Sequence, residues 1–410
     1  MVHKKNIAVF TVCNIAYLPR ALVLAESLKF YDGRQLNIVI FDKRQAISIP
    51  DGLANIIWAE ELGVPKFLEL AFMYDIIEFS TSLKPFIALK LLKSHDAVIF
   101  LDPDTCLFSS LSPVEQDLEV HPIVLTPHHC SPQPSTPEES DLPMMRFGSF
   151  NLGFFAVTNE RSAIHFLEWW NNRCINFCFM ESQFGLSTDQ KWISIAPCLF
   201  RELYVSFNMG YNMSAWNTFE REVVRNQAGV YLVKSKVSDE IFNLVFFHFS
   251  NFRSDDPEYL NKRASNEIGN RYPTLGELGA FYRDQLAKFT AIIKSEPYTY
   301  DYMSDGCYIS PTLRRAYAAV LTELPEGHNP FDADGPVGVF ARKNYLISQK
   351  VSSYRYPGIK EAQKYGLQLK LIYAALRMIL RIVGPNRFYD LSKLFVFLSM
   401  YRKNRGLWKI

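Results

Sequence analysis

The chain has 410 residues, 48% hydrophobic and 14% aromatic, which supports a large core and excludes a globally disordered protein. A net charge of +2 hides a division: residues 342–410 carry 15 Lys and Arg against Glu361 and Asp390, a net of +13, leaving −11 on residues 1–341. A basic tail on an acidic body calls for an anionic partner, and with no nucleic-acid-binding module in the sequence that partner is expected to be a membrane surface.

Ile7 to Cys13 reads as a first β-strand rather than a signal peptide. A helix follows over Leu18–Phe30 with Pro19 in its first turn, then strands at Leu36–Phe41 and Ile56–Trp58. Phe67–Phe79 and Lys84–Lys93 read as helices separated by Ser80-Thr81-Ser82 as a cap. Ala97–Leu101, AVIFL, has the apolar run of a strand buried on both faces. Alternating strands and helices predict a parallel α/β sheet with right-handed connections. Downstream come a strand at His121–Thr126 and a polar, Pro-rich stretch, Ser131–Pro143, long enough to act as a flap. FNLGFFAV at Phe150–Val157 is a further strand, with Gly153 where a ligand or backbone approaches closely. Ser162–Phe177 is helical, and Ser187 or Thr188 is placed to cap a helix through Ile195. Residues 203–217 are mixed, and IFNLVFFHFSNF at 241–252 is a late strand from which His248 emerges. Residues 257–295 read as surface helix and 296–340 as a loop-rich bridge.

The seven cysteines complete no zinc pattern and are expected to be reduced, buried thiols in a cytosolic protein. No apolar stretch of about 18 residues predicts a membrane-spanning helix. In the tail, residues 359–383 and 387–410 combine broad apolar faces with Lys and Arg, the make-up of helices lying in a membrane interface.

The chemistry concentrates at Asp102-Pro103-Asp104. Two carboxylates two residues apart in extended backbone project to one side, and at the carboxyl end of a central strand they face the crevice where α/β sheets bind ligands. Mg²⁺ or Mn²⁺ on a diphosphate suits such a pair, although Asp-Pro-Asp-Thr also reads as a strand-ending turn.

TSLKP, then Asp-x-Asp after a buried strand, then FNLGFF, STDQ and a late His-Phe-Ser follow one another in a fixed order. Over roughly residues 6–253 this order resembles metal-dependent glycosyltransferases of the GT-A fold, nearest the retaining glycogenin-like group and bacterial envelope-polysaccharide sugar transferases. The resemblance implies a Rossmann-like nucleotide-diphospho-sugar transferase: a mixed sheet flanked by helices, with a basic helical C-terminal region. It implies a hexosyltransferase that moves a sugar from a nucleotide-diphosphate donor, usually a UDP-sugar, to a glycan or lipid-linked glycan, with Mn²⁺ or Mg²⁺ and retention of configuration. Asp102, Asp104 and His248 match the metal ligands. Thr11 and Tyr17 match the base and ribose wall, Lys84 a basic residue near the donor, Asn151 and Gly153 the strand beside the sugar, and Asp189-Gln190 the pair next to the anomeric carbon. The longer Gly- and Lys-containing motif that follows the family's histidine is replaced by Phe249-Ser250-Asn251-Phe252-Arg253, which leaves open the group that supports the diphosphate, with Arg253 as one candidate.

Plainer readings stand beside these. Lys84-Pro85 also fits the start of a solvated helix, Asn151 a backbone-bonding amide, and Asp189 an acid favoured by a helix dipole. Tyr211 and Trp216 fit the core better than a sugar platform, and His128 and His129 lie where an acceptor would pass. A haloacid-dehalogenase-type phosphatase is the first rival function, but Thr105 follows Asp104 immediately where that pattern needs one more residue between. A non-catalytic membrane scaffold with a degenerate fold is the second. The expected divisions are a transferase domain at 1–255, a helical and loop-rich extension at 256–341, and a basic tail at 342–410. The expected location is the cytoplasmic face of the membrane, peripherally bound.

Overall fold

The computed structural model describes residues 5–132, 141–256, 258–260, 272–294, 297–347 and 366–410. It forms two compact units, one of residues 1–70 and 76–299 and another of residues 71–75 and 300–410.

In the first unit β1 (Ile7–Cys13) is buried along its whole length, and α1 (Leu18–Asp32) ends at Gly33, whose φ of 75° stops the helix. β2 (Leu36–Ile40) and β3 (Ala54–Trp58) follow, then the helices α2 (Phe67–Met73), α3 (Ile76–Ser82) and α4 (Lys84–Leu91), then β4 (Ala97–Leu101) and β5 (Thr105–Leu107). The expected single helix over 67–79 is two. The Arg314 guanidinium takes the carbonyls of Ala71, Phe72 and Tyr74 at 2.8–3.0 Å, the groups that a continuing helix would have used. Ser80, Thr81 and Ser82 are no cap either. They lie in or end α3, and their hydroxyls donate to the carbonyls of Ile77 and Phe79.

α5 (Ser112–Val120), β6 (Ile123–Pro127), α6 (Leu142–Phe147), β7 (Phe150–Thr158), α7 (Arg161–Phe177), the short pair β8 (Met180–Glu181) and β9 (Leu186–Ser187), and α8 (Gln190–Ile193) come next. α8 is entered at Asp189 with no side-chain cap, so neither Ser187 nor Thr188 plays the expected part. The remaining strands are β10 (Leu203–Val205), β11 (Arg221–Arg225), β12 (Tyr231–Ser235), β13 (Ile241–Asn243) and β14 (Phe246–His248). The expected strand over 241–252 is therefore broken: β13 pairs with β12, whereas β14 leaves to pair antiparallel with β5.

Seven strands form one mixed sheet in the order β10-β6-β7-β4-β1-β2-β3. β1, β2, β3 and β4 run parallel, and β7 lies antiparallel between β4 and β6. Flanked by helices, this is the mixed α/β sheet that the resemblance implies; the parallel sheet expected from alternating strands and helices holds for β1–β4 and ends at β7. The chain steps outward from β1 to β3 and then crosses to β4 on the other side of β1, so the order reverses between β1 and β4. A crevice opens outside the carboxyl ends of strands at such a reversal. Beneath it Phe10, Phe100 and Phe155 pack with ring centroids 5.1–6.0 Å apart.

The helix Pro273–Thr290 is not the surface element expected. It buries Leu275, Leu278, Tyr282 and Leu286, with the Tyr282 ring stacked 3.9 Å from that of Phe249.

The second unit contains helices Pro311–Val320, Pro336–Lys343, Gly366–Val383 and Pro385–Leu398, so the 296–340 stretch is more than a loop-rich bridge. Its two last helices leave Leu371, Ile372, Met378, Ile382, Phe395 and Phe397 exposed. No helix among the described residues is long and apolar enough to cross a membrane. All seven cysteines are in the thiol form, but the expected burial holds for only four of them: Cys198 is exposed, and Cys130 and Cys307 are half-buried.

Candidate active site

The backbone over Asp102–Thr105 is not extended. Pro103 follows Asp102 at the second position of a turn, where its fixed φ is preferred, and the Thr105 N–H donates to the Asp102 carbonyl at 3.0 Å. The turn reading of the motif is thus correct for the backbone, yet the carboxylates still converge. β5 leaves the turn and pairs with β14, bringing Thr105 opposite His248. His248 Nε2 lies 3.1 Å from Asp104 Oδ1 and 3.8 Å from Asp102 Oδ2. One ligand atom from each of Asp102, Asp104 and His248 lies within 4.8 Å of the others, so two carboxylates and an imidazole face one point. That set of hard oxygen donors with one nitrogen fits a divalent cation such as Mg²⁺ or Mn²⁺.

Burial resists ionisation of Asp104, but the neighbouring His248 outweighs it and holds the carboxyl below the usual carboxylate range. Burial likewise opposes charge on His248, and Asp104 reverses that, raising its pKa above that of an ordinary histidine.

Lys84 begins α4 and is buried, not solvated. Its ammonium donates to the Leu152 carbonyl at 2.9 Å and lies 3.2 Å from Asp102 Oδ1 and 3.6 Å from Asp189 Oδ2. Burial works against its charge, but the carboxylates of Asp102 and Asp189 prevail and raise its pKa. Asp189 is buried too, and burial pushes its carboxyl up while Lys84 pulls it back.

A cavity of about 240 Å³ opens beside this cluster, lined by Asn14, Tyr17, Phe41, Thr81, Lys84 and Asp102 among others. Tyr17 therefore lines the cleft. Thr11 is fully buried in β1 and is not part of that lining. Asp42 ties down the β1–α1 loop, accepting from the Ile15 N–H at 2.7 Å and from the Thr299 hydroxyl at 3.1 Å.

Asn151 and Gly153 meet His248 from β7. A Cβ on Gly153 would stand 2.5 Å from His248 Cε1, so only glycine lets the imidazole lie against this strand. The Asn151 Oδ1 accepts from the Gly153 N–H at 3.0 Å, and its Nδ2 faces His128 Nε2 at 3.3 Å. Gln190 spends its amide on the protein, accepting from the Leu152 N–H and donating to the Phe147 carbonyl. Arg253 is not brought to the cluster: it is exposed and paired with Asp255 at 2.9 Å.

Other residues flank the cluster. Trp216 packs its ring edge-on against His248, centroids 5.1 Å apart, while Tyr211 is a core residue. His128 is half-buried, and loss of solvent around its ring with the charge of His129 lowers its pKa to about 4. Glu220, which is fully buried, accepts from the Cys130 and Ser131 N–H groups and from Arg221. This fixes the chain where it enters the stretch expected as a flap, whose residues 133–140 lie outside the described ones. Only an acidic-basic pair after an aromatic-rich segment hinted at Glu220-Arg221, and such pairs are common on surfaces.

No family model matches the sequence. Two uncharacterised proteins of Bacillus subtilis strain 168 are similar to it. YfnD is 28% identical over 197 residues, 47% of this chain and 59% of YfnD. YfnF is 22% identical over 202 residues, 48% of this chain and 65% of YfnF. The chain thus spans about three fifths of the length of the curated relatives it matches. Among solved structures it is similar to the galactosyltransferase LgtC in complex with donor and acceptor sugar analogs, at 13% identity and a TM-score of 0.42, covering 71% of this chain and 97% of that one. It is also similar to mouse xyloside xylosyltransferase 1, at 12% identity and a TM-score of 0.38, covering 60% and 98%. The glycosyltransferase GlyE of Streptococcus pneumoniae is a third, at 14% identity and a TM-score of 0.38, covering 72% and 67%.

Proposed function

We propose that the chain is a glycosyltransferase of GT-A type that moves a sugar from a nucleotide-diphosphate donor, a UDP-sugar, to a glycan or lipid-linked glycan. One observation carries this reading: Asp102, Asp104 and His248 meet at the sheet's reversal point, at the rim of a cleft with Tyr17 and Lys84 in its wall. Asp102, Asp104 and His248 would hold Mn²⁺ or Mg²⁺, and such an ion supplies charge neutralisation for a departing diphosphate.

The chain's own groups supply the rest. The nucleoside end lies along Tyr17 and Asn14, with the apolar ring of Phe41 facing it. Lys84 remains charged in a buried setting and adds a fixed cation near the diphosphate, where low polarity strengthens its pull. Asp189, buried beside Lys84 and outside the cleft lining, acts through the field of its carboxylate on positive charge developing at the anomeric carbon, the demand that glycosyl cleavage makes. Retention of configuration belongs to this reading and rests on the Asp189-Gln190 resemblance. Gln190 and Asn151 shape the sugar's side of the site through the backbone that they hold.

The final helices extend the proposal to an anionic membrane surface on the cytoplasmic side. Their exposed Leu371, Ile372, Phe395 and Phe397 accompany a tail of net charge +13, which suits acyl chains below and anionic headgroups around. An acceptor carried on a lipid would meet the enzyme there.

The testing experiment is a screen of nucleotide sugars with Mn²⁺, reading release of nucleoside diphosphate, followed by NMR of the product linkage. Metal-dependent release from one donor is expected. Absence of both turnover and nucleotide-induced stabilisation across the panel would sink the reading.

A further inference from the structure

Asn212 stands in the loop between β10 and β11, buried, with a left-handed φ of 50°. Asparagine is among the few side-chain-bearing residues that take this conformation readily. Its side chain is used at both ends. Nδ2 donates to the Thr126 hydroxyl at 3.1 Å and to Asn151 Oδ1 at 3.0 Å. With the amide nitrogen turned that way, Oδ1 is left facing His248 Nδ1 at 3.1 Å. Asn217 holds the backbone from beneath, its Nδ2 donating to the Asn212 carbonyl at 3.1 Å.

An amide oxygen accepts and never donates, so the ring nitrogen that it meets must carry the hydrogen. The same contact fixes the rotation of the imidazole and aims Nε2 at Asp102 and Asp104. Gly153 on one side and the Trp216 ring on another pack against the imidazole in this orientation.

We propose that Asn212 is a positioning residue of this site: it orients His248 so that Nε2 completes a divalent-cation site with Asp102 and Asp104, and Thr126 and Asn151 in turn orient Asn212. This rests on the metal-site reading above and adds to it a residue that touches neither ion nor substrate. Outer hydrogen-bond partners of a metal-bound histidine contribute roughly 10–100-fold to metal affinity.

The test measures Mn²⁺ binding to the full chain with UDP present, by electron paramagnetic resonance, without turnover. Asn212→Leu keeps the branch at Cγ and removes the acceptor, at the cost of strain in the left-handed backbone, and the Mn²⁺ dissociation constant of the folded variant should rise about 10–100-fold. Asn212→Asp keeps an acceptor oxygen for His248 Nδ1 but gives up the donation to Asn151 Oδ1, so its affinity should fall less than that of Asn212→Leu, a ranking that a merely structural role would not predict. Thr126→Val, whose side chain touches none of the three ligands, should weaken binding about fivefold by loosening Asn212. A folded Asn212→Leu protein with wild-type Mn²⁺ affinity overturns the proposal. If that variant does not fold, unchanged affinity in Thr126→Val overturns it instead. Failure of the wild-type chain to bind Mn²⁺ overturns both this inference and the function above it, so the two failures are distinguishable.

Discussion

His248 Nε2 rests 3.1 Å from Asp104 Oδ1 because β14 pairs with β5 in the one register that sets His248 opposite Thr105. A slip by one residue would turn the imidazole to the other face and replace it with Phe247 or Phe249. The ligand set is therefore a property of strand pairing as much as of residue identity.

Asp104→Asn should leave the fold intact and weaken Mn²⁺ binding severely, with transfer lowered by roughly 100-fold or more, because it removes a charge worth several kcal/mol to the site at constant volume. Titration with Mn²⁺ and a turnover assay on the same preparation check it. Wild-type turnover would mean that the motif is structural.

Lys84→Met should be costly to stability as well as to donor binding. Lys84 compensates Asp102 and the fully enclosed Asp189, and removing one partner of a buried ion pair costs about 3–5 kcal/mol. Urea denaturation of the two proteins measures the difference. Equal midpoints would show that Asp189 is solvated or neutral in the fold.

Gly153→Ala tests the close approach of β7 to the imidazole. Its Cβ would sit 2.5 Å from His248 Cε1, so the ring or the strand must move, at a cost of about 1–3 kcal/mol. Mn²⁺ affinity should fall with stability. Loss of stability alone, with affinity kept, would mean that the strand yields and the ring does not.

His128 gives the fold a dependence on acid. Its pKa is lowered from 6.5 to about 4, so it is neutral in the fold while the unfolded chain takes up a proton below pH 6.5. Its contribution is complete above pH 6.5, declines as pH falls toward 4 and is then lost, a change of roughly 3 kcal/mol. His128→Gln should flatten that limb. Comparing unfolding free energies of the two proteins at pH 7.5 and 4.5 cancels the groups that they share. Parallel curves would refute the assignment.

The tail should bind vesicles containing phosphatidylserine more than vesicles of phosphatidylcholine alone, and salt should weaken the binding, since screening shortens the reach of its charge. Flotation at two salt concentrations reads both effects. Phe395→Asp, on an exposed apolar face, should reduce recovery with either lipid.

Much of the first unit was legible because local pattern sets local structure. The apolar run Ala97–Leu101 has to be a buried strand, and two acids beyond a central strand have to face the crevice. The motif order over residues 6–253 likewise placed Asp102, Asp104 and His248 in one set before any distance was known. What local pattern does not carry is a long-range partner. Arg314 lies some 240 residues after the carbonyls on which it ends a helix, so periodicity over 67–79 shows no break. Asp102–Thr105 reads equally as strand or turn until the Thr105 N–H finds its carbonyl. Asn212 in GYNMS looks like any loop asparagine. Its use is decided only when β6, β7 and β14 bring Thr126, Asn151 and His248 around it. The sequence by itself determined which groups hold charge and which strands run through the core. The tertiary structure decided which of those groups meet and which nitrogen of His248 faces Asp102 and Asp104, because hydrogen-bond direction belongs to pairs of residues that the chain order leaves far apart.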